Sequence, residues 1–136
     1  MDQNELLLGI ERMRSDSNYY AAEVMRRDLG GAEGLIGPES TKEGKAAAQL
    51  LCVTWDSIAI LIRGVRTRDK IYEATPICHM YKVLEPAIKH FRKEVPEFAA
   101  EFEKLNADYL AWLKKKKKSA DYVSKACGGL LHARFG

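Results

Sequence analysis

The feature that most constrains the fold is an apolar run near the middle of the chain, AAAQLLCVTWDSIAILIRGV. Its apolar core, positions 50–62, is shorter than the roughly 20 residues that cross a bilayer, and Asp56 interrupts it. Apolar side chains would cover more than one side of a helix formed by this run, which is typical of the central helix of a bundle. The run therefore predicts a buried core helix and no transmembrane segment.

Helical spacing continues on both sides of this run. Apolar residues recur every three or four positions before and after it, and no strand-like alternation competes with that pattern. Hydroxyl, proline and glycine signals mark the ends of the helices. We expect the central helix to start near Ser40 or Thr41 and to end near Gly64, and a later helix to open at Pro96. The sequence predicts an all-α, single-domain helical bundle of four to six helices over residues 1–136.

Two segments do not fit the helical pattern. Positions 30–44, GGAEGLIGPESTKEG, combine glycines with Pro38 and small polar residues, which predicts a mobile loop. Gly30 and Gly31 should end the helix before it, and a break near Ser17 would divide the N-terminal segment into two helices. A last short helix is expected at about 119–127, and positions 129–136 form a tail.

Charge and cysteine content limit the classes of function. The 22 basic and 19 acidic side chains give a net charge of +3, too small a field to imply a nucleic-acid partner by itself. Three cysteines cannot all pair within one chain, which favours a reducing compartment. The N-terminal residues do not resemble a secretion signal, because acids precede a very short apolar run. We therefore expect a cytoplasmic protein.

A run of five lysines is the most conspicuous charge feature, and we call it the lysine collar. Consecutive helical positions point around a helix, so these side chains surround its end, where the helix dipole favours positive charge. The collar could also contact phosphates together with three lysines of the preceding helix, which keeps nucleic-acid binding as an alternative. The collar is Lys114, Lys115, Lys116, Lys117 and Lys118, and the other three are Lys82, Lys89 and Lys93.

Cys78 and His79 are side chains of the kind that bind metals or act as nucleophile and base. Their neighbouring positions on a helix point about 100° apart, and the paired short spacings of zinc sites are missing. Nucleophilic catalysis would also need an orienting group beside the base. The sequence therefore predicts no metal site, no cofactor and no catalytic residue.

The pair Trp55-Asp56 stands out inside the most apolar helix. A buried carboxylate must find a partner or lose its charge, and an arginine or a tyrosine hydroxyl is the expected partner if Asp56 is buried. A solvent-facing position beside Gln49 and Arg63 is the alternative. In the buried case its role would be to fix helix register and not to do chemistry.

The same stretch, TWDSIAILIRGV, followed by a charged link and YKVLEPAIKHFRKEVPEFAAEFEKL, resembles the DUF4760 family of uncharacterised bacterial proteins. In that family an aromatic-acid pair precedes I-A-type residues, and a later L-x-P-x-I helix leads to a basic residue. The likeness covers about positions 50–113. It implies a helical protein with no assigned activity, so it supplies no functional residue.

Taken together, these features predict a non-enzymatic protein-interaction or regulatory module that associates with a protein partner, including a second copy of itself. The contact surface is expected to come from apolar residues of the Leu6 and Phe98 helices, with four aromatic and basic candidates. The alternatives are nucleic-acid binding, and a small ligand-binding or enzymatic bundle in which Asp56, His79 and Cys78 converge. The four candidates are Tyr19, Tyr72, Trp112 and Arg14.

Overall fold

The computed structural model of the chain describes residues 2–116. It consists of helices joined by short links, and the described residues contain no strand, which confirms the all-α prediction. The seven helices are α1 (Gln3–Arg14), α2 (Ser17–Asp28), α3 (Ala32–Ile36), α4 (Lys42–Arg63), α5 (Asp69–Ala74), α6 (Ile77–Phe91) and α7 (Ala100–Lys115). The helix expected at 119–127 and the tail at 129–136 lie outside the described residues.

The N-terminal segment forms two helices, because an aspartate caps the start of each. The Asp2 carboxylate accepts a hydrogen bond from the Glu5 amide at 2.8 Å. Asp16 accepts from the amide of Tyr19 at 3.2 Å, and from that of Asn18. Each carboxylate satisfies donors that a first helical turn leaves open, so the chain stops α1 and begins α2 at the polar cluster.

Two glycines end α2, as predicted. Gly30 and Gly31 both have positive φ, at 81° and 120°. The Gly31 amide donates to the Arg26 carbonyl at 2.8 Å, and the Gly30 amide to the Arg27 carbonyl at 3.2 Å. These two bonds form the Schellman arrangement, which favours glycine because its missing Cβ removes the steric cost of the left-handed conformation.

The segment 30–44 is not a loop throughout, and this part of the sequence-based prediction needs correction. Its two bulky apolar residues, Leu35 and Ile36, belong to the short helix α3, which packs against α4 and α6. Leu35 is fully buried, and so is Ala32. The glycine content concealed this helix, since the burial of Leu35 outweighs the low helix propensity of its glycine neighbours.

Helix α4 lies at the centre of the fold. Thr41 caps it by accepting the Gly44 amide at 3.0 Å, and Gly64 ends it, both as expected. Helices α1, α2, α3, α6 and α7 all pack against it. By length and composition alone α4 is apolar enough to cross a membrane, but the same properties suit a core helix, and Leu51, Trp55 and Ile58 are fully buried inside the protein.

Helix α7 starts four residues later than the sequence predicted. Pro96 lies in a run of turns, and Ala99, just before the helix, has a left-handed φ of 60°. The Arg92 side chain holds this link by donating from Nε to the Phe98 carbonyl at 2.8 Å. The proline is therefore part of a connection that turns the chain, and the helix begins only at Ala100.

The buried apolar side chains form one continuous core cluster, to which six of the helices contribute directly on both sides of α4. Aromatic residues of α7 supply the largest contacts: Phe102 stacks on Trp55, and Tyr109 meets Tyr72 of α5 edge to face. A shared core of this kind is what unites the described helices into one packed unit.

The packing of α3 predicts opposite effects for two glycine substitutions. A Cβ at Gly34 would lie 1.9 Å from the Leu29 carbonyl oxygen, whereas one at Gly9 in α1 meets nothing within 4 Å. We expect Gly34→Ala to lower the free energy of unfolding by about 1–3 kcal/mol. Gly9→Ala should raise it by about 0.5–1 kcal/mol, through helix propensity. Urea unfolding of both variants tests this, and a neutral Gly34→Ala would mean that the segment 30–44 is not packed as described.

Candidate functional site

Trp55 lies where α1, α2, α4 and α7 meet. Its indole is fully buried, and its Nε1 donates a hydrogen bond to the Tyr19 hydroxyl at 2.9 Å. The Arg14 guanidinium carbon lies 5.5 Å from the centre of the ring, and the Phe102 ring stacks at 5.5 Å. A cation over the indole and a satisfied N–H make this a stable structural junction.

A buried polar group extends from this junction along α2. The carboxylate of Glu23 is fully buried and pairs with Arg26 at 3.0 Å. Burial, and after it the Glu23 charge, raises the pKa of Tyr19 to about 12. Tyr19 is therefore a neutral hydroxyl at ordinary pH and not a general base. The group binds α1, α2 and α4 together and does not open onto a reaction site.

Asp56 is half-buried, and its partner differs from the expected arginine or tyrosine hydroxyl. Its Oδ1 accepts the backbone amide of Phe102, the third residue of α7, at 2.9 Å. Ala99, at the N-cap position of α7, has no side chain that could cap the helix. Asp56 thus supplies from α4 the oxygen and the negative charge that a helix start favours. Its role is structural.

An arginine pair continues the connection between α4 and α7 at the other end. Arg63 contacts Glu101 at 2.8 Å and Asp108 at 3.1 Å, and Arg68 contacts Asp108 at 3.3 Å. The hydrogen bond from Arg63 holds the pKa of Glu101 below its ordinary value. Arg68 also donates to the Arg63 carbonyl at 2.9 Å, which fixes the turn after α4.

The cysteine and histidine candidates do not assemble a reactive site in the described part of the chain. Cys78 and His79 are both half-buried in the first turn of α6. Burial, and secondly the charge of Asp56, raises the pKa of Cys52 to about 12, so this thiol stays protonated and weakly nucleophilic. Among residues 2–116, no three His, Cys, Asp or Glu side chains are placed to hold a metal ion.

The described lysines fall into two separate groups. Lys82, Lys89 and Lys93 are exposed on α6 and in the link after it. The collar residues Lys114 and Lys116 are exposed in and after the last turn of α7, about 20 Å along the helix from its start. Lys115 is exposed there too, and Lys117 and Lys118 lie outside the described residues. The continuous basic face that nucleic-acid binding required is not formed by the described lysines, and that function stays an untested alternative.

The residues expected to supply an interaction surface are largely internal. Tyr19, Tyr72 and Arg14 are buried, and Trp112 is half-buried with its Nε1 donating to Asp69 at 2.7 Å. Their amphipathic character reflects the polar contacts inside the bundle, because each aromatic or basic tip finds a partner there. A contact surface must therefore lie elsewhere.

The exposed side of α4 is a surface that the sequence analysis missed. Six residues along it are spaced alternately by four and three, and we call them the α4 outer face. All six are uncharged and at least partly exposed, with Ile60 exposed at 56%. The charged residues of α4 between its ends, Asp56 and Arg63, turn toward α7 instead. The α4 outer face is Ala46, Leu50, Val53, Ser57, Ile60 and Gly64.

Two open grooves border this face. One, of about 380 Å³, lies between the α1–α2 region and α4 and includes Leu50 and Thr54 in its lining. The other, of about 420 Å³, is lined by Ile60, Leu61 and Gly64 together with the residues just after α4. Exposed apolar side chains beside grooves are typical of protein contact sites. A helical spacing without charge was the signal in the sequence, but it was read as burial on all sides.

Comparison of the chain with protein-family models, with curated proteins and with solved structures found no match. The resemblance of the central stretch to the DUF4760 family therefore stays a prediction. Any function has to be argued from the arrangement of the residues themselves.

The Asp56 contact predicts a specific loss of stability. Asp56→Ala removes the acceptor of the Phe102 amide, and we expect the free energy of unfolding to fall by about 1 kcal/mol, as for loss of a helix cap. Asp56→Asn keeps an acceptor oxygen and should lose less. Urea unfolding gives the energies, and amide hydrogen exchange at Phe102 reports the bond directly. Equal protection at Phe102 in the wild type and in Asp56→Ala would contradict the capping role.

Tyr19 predicts a pH dependence. Its pKa is about 12 in the folded protein and about 10 when unfolded, so its contribution is complete below pH 10 and is lost as the pH rises toward 12. Across that range, the stability advantage of the wild type over Tyr19→Phe should shrink by about 1.4 kcal/mol per pH unit. At neutral pH, Tyr19→Phe should cost about 1–3 kcal/mol, because the Trp55 N–H loses its acceptor.

Urea unfolding of wild type and variant at several pH values measures both effects. The matched control is Tyr20→Phe, at the neighbouring tyrosine, which is exposed at 49%. It should keep the wild-type dependence on pH. An unchanged difference between the wild type and Tyr19→Phe from pH 9 to 11 would contradict the assignment.

Proposed function

We propose that the protein is a non-enzymatic protein-interaction module and that the α4 outer face is its contact surface. The observation that carries this proposal is the row of uncharged, partly exposed side chains along the central helix. An ordinary exposed helix side carries charged residues, because they are solvated at no cost and prevent association. This side of α4 carries none from Ala46 to Gly64.

The surrounding structure supports a binding role for this face. Helix α4 is held by five other helices, so its outer face is presented on a rigid support. Val53 and Leu61 are exposed at 45% and 39%, and Ile60 more so. Large apolar side chains on a rigid helix, next to grooves, can bind a partner with little loss of conformational freedom.

The reactive groups of the described residues give less support to catalysis. Asp56 is bonded to a backbone amide, Cys52 is buried and protonated, and the hydroxyl of Tyr19 is bonded to Trp55. The cytoplasmic location expected from the odd number of cysteines belongs to the same proposal. The module would act by holding partners together.

Site-specific photocrosslinking tests the contact surface in cells that produce the protein. A photoreactive benzoylphenylalanine at Ile60 should form protein adducts, because its ring would lie inside the contact. The matched control position is Leu8 of α1, which is exposed at 53% against 56% for Ile60. Adducts should form at Ile60 and not at Leu8, and Val53→Glu on the same chain should remove them.

Two results would contradict the proposal. One is the absence of adducts at Ile60 under conditions in which the reagent labels other proteins. The other is equal labelling at Ile60 and Leu8, which would mean that collisions and not a surface determine the products.

A further inference from the structure

We infer that the partner of the α4 outer face is a second copy of this chain, packed with the two α4 helices antiparallel. This inference rests on the proposed function and names its partner. The alternating spacing of four and three along the face is the pattern by which two helices pack side chains between one another. A twofold interface uses the same patch on both copies, so the patch must fit itself.

The face fits itself when the helices run in opposite directions about a point between Val53 and Ser57. In that register Leu50 meets Ile60 of the second copy, and Ala46 meets Gly64 of the second copy. Large side chains then face each other on both sides of the centre, and small residues let the helix ends approach. The groove beside Leu50, of about 380 Å³, gives the protruding Ile60 of the second copy room to enter.

Charge at the ends of the face favours the antiparallel direction over the parallel one. Glu43 precedes the face by one helical turn, and Arg66 follows it and lines the groove beside Ile60. The antiparallel register brings Glu43 of each copy next to Arg66 of the other, twice by symmetry. A parallel pair would place Glu43 against Glu43 and would align the two helix dipoles, both of which are unfavourable.

The size of the face sets the expected strength of association. From Ala46 to Gly64 it is about 27 Å long and one helix wide, which places the contact at the small end of specific interfaces. We therefore expect a reversible dimer with a dissociation constant in the micromolar range, present at high protein concentration and dissociating on dilution.

Sedimentation equilibrium of the purified full chain over a wide concentration range tests the dimer. Ile60→Glu should raise the dissociation constant at least tenfold, and Leu8→Glu, at a position of similar exposure on α1, should leave it unchanged. Circular dichroism checks that both variants are folded. A wild-type chain that remains monomeric at millimolar concentration would overturn the inference, as would equal weakening by the two variants.

Charge reversal tests the register. Glu43→Arg and Arg66→Glu should each weaken the dimer severalfold, and the double variant should recover most of the loss because the two ends again carry opposite charges. A double variant that is weaker than either single variant would overturn the antiparallel register.

Crosslinking provides a second test of direction. In a background with Cys78→Ser and Cys127→Ser, a mixture of Leu50→Cys chains and Ile60→Cys chains should be joined by a short bis-maleimide. Each variant alone should not be joined efficiently, because like positions lie about 15 Å apart along the antiparallel helices. Efficient joining of Ile60→Cys chains to one another would show a parallel pair and overturn the proposal.

The photocrosslinks separate this inference from the proposed function. Adducts at Ile60 of twice the chain mass support both. Adducts of another mass, with a monomeric purified chain, keep the interaction module and overturn the self-association. Pelleting of the monomeric chain with lipid vesicles, prevented by Ile60→Glu, would assign the face to a membrane surface and overturn both.

Discussion

The buried hydrogen bond between the Trp55 indole and the Tyr19 hydroxyl is the contact on which the arrangement of the helices depends. The indole is too large to be accommodated anywhere but at the centre, and its N–H cannot be left without an acceptor there. Satisfying it brings α2 against α4. Arg14 of α1 and Phe102 of α7 then pack against the same ring, so one side chain determines the positions of three other helices.

Asp56 extends the same logic to the backbone. Trp55 and Asp56 are neighbours on α4, and the first contacts the Phe102 ring while the second accepts the Phe102 amide. One residue of α7 is thus held by its side chain and its main chain at once. The Arg63 contacts with Glu101 and Asp108 add a second fixed point along α7. Together they leave the opposite side of α4 without partners among the described helices, which is why that side is available for association.

How far the sequence could predict this structure depended on whether a feature was local. The caps at Asp16 and Thr41 and the glycine stop after α2 depend on neighbours within one turn, and the pattern predicted a helix break or boundary at each. The start of α7 and the partner of Asp56 depend on each other across 46 positions, and no local signal reveals them. The helix at Leu35 was missed because its stabilisation comes from packing. The α4 outer face was missed because an apolar run does not show which of its sides has a neighbour.

The capping of α7 by Asp56 has a consequence for how the protein opens. The first turn of a helix usually frays by itself, because its amides depend on a side chain a few residues away. Here the acceptor of the Phe102 amide belongs to the central helix, beside the ring that forms the core. The beginning of α7 can therefore loosen only when α4 and α7 separate, which makes it part of the cooperative core and not an independent end.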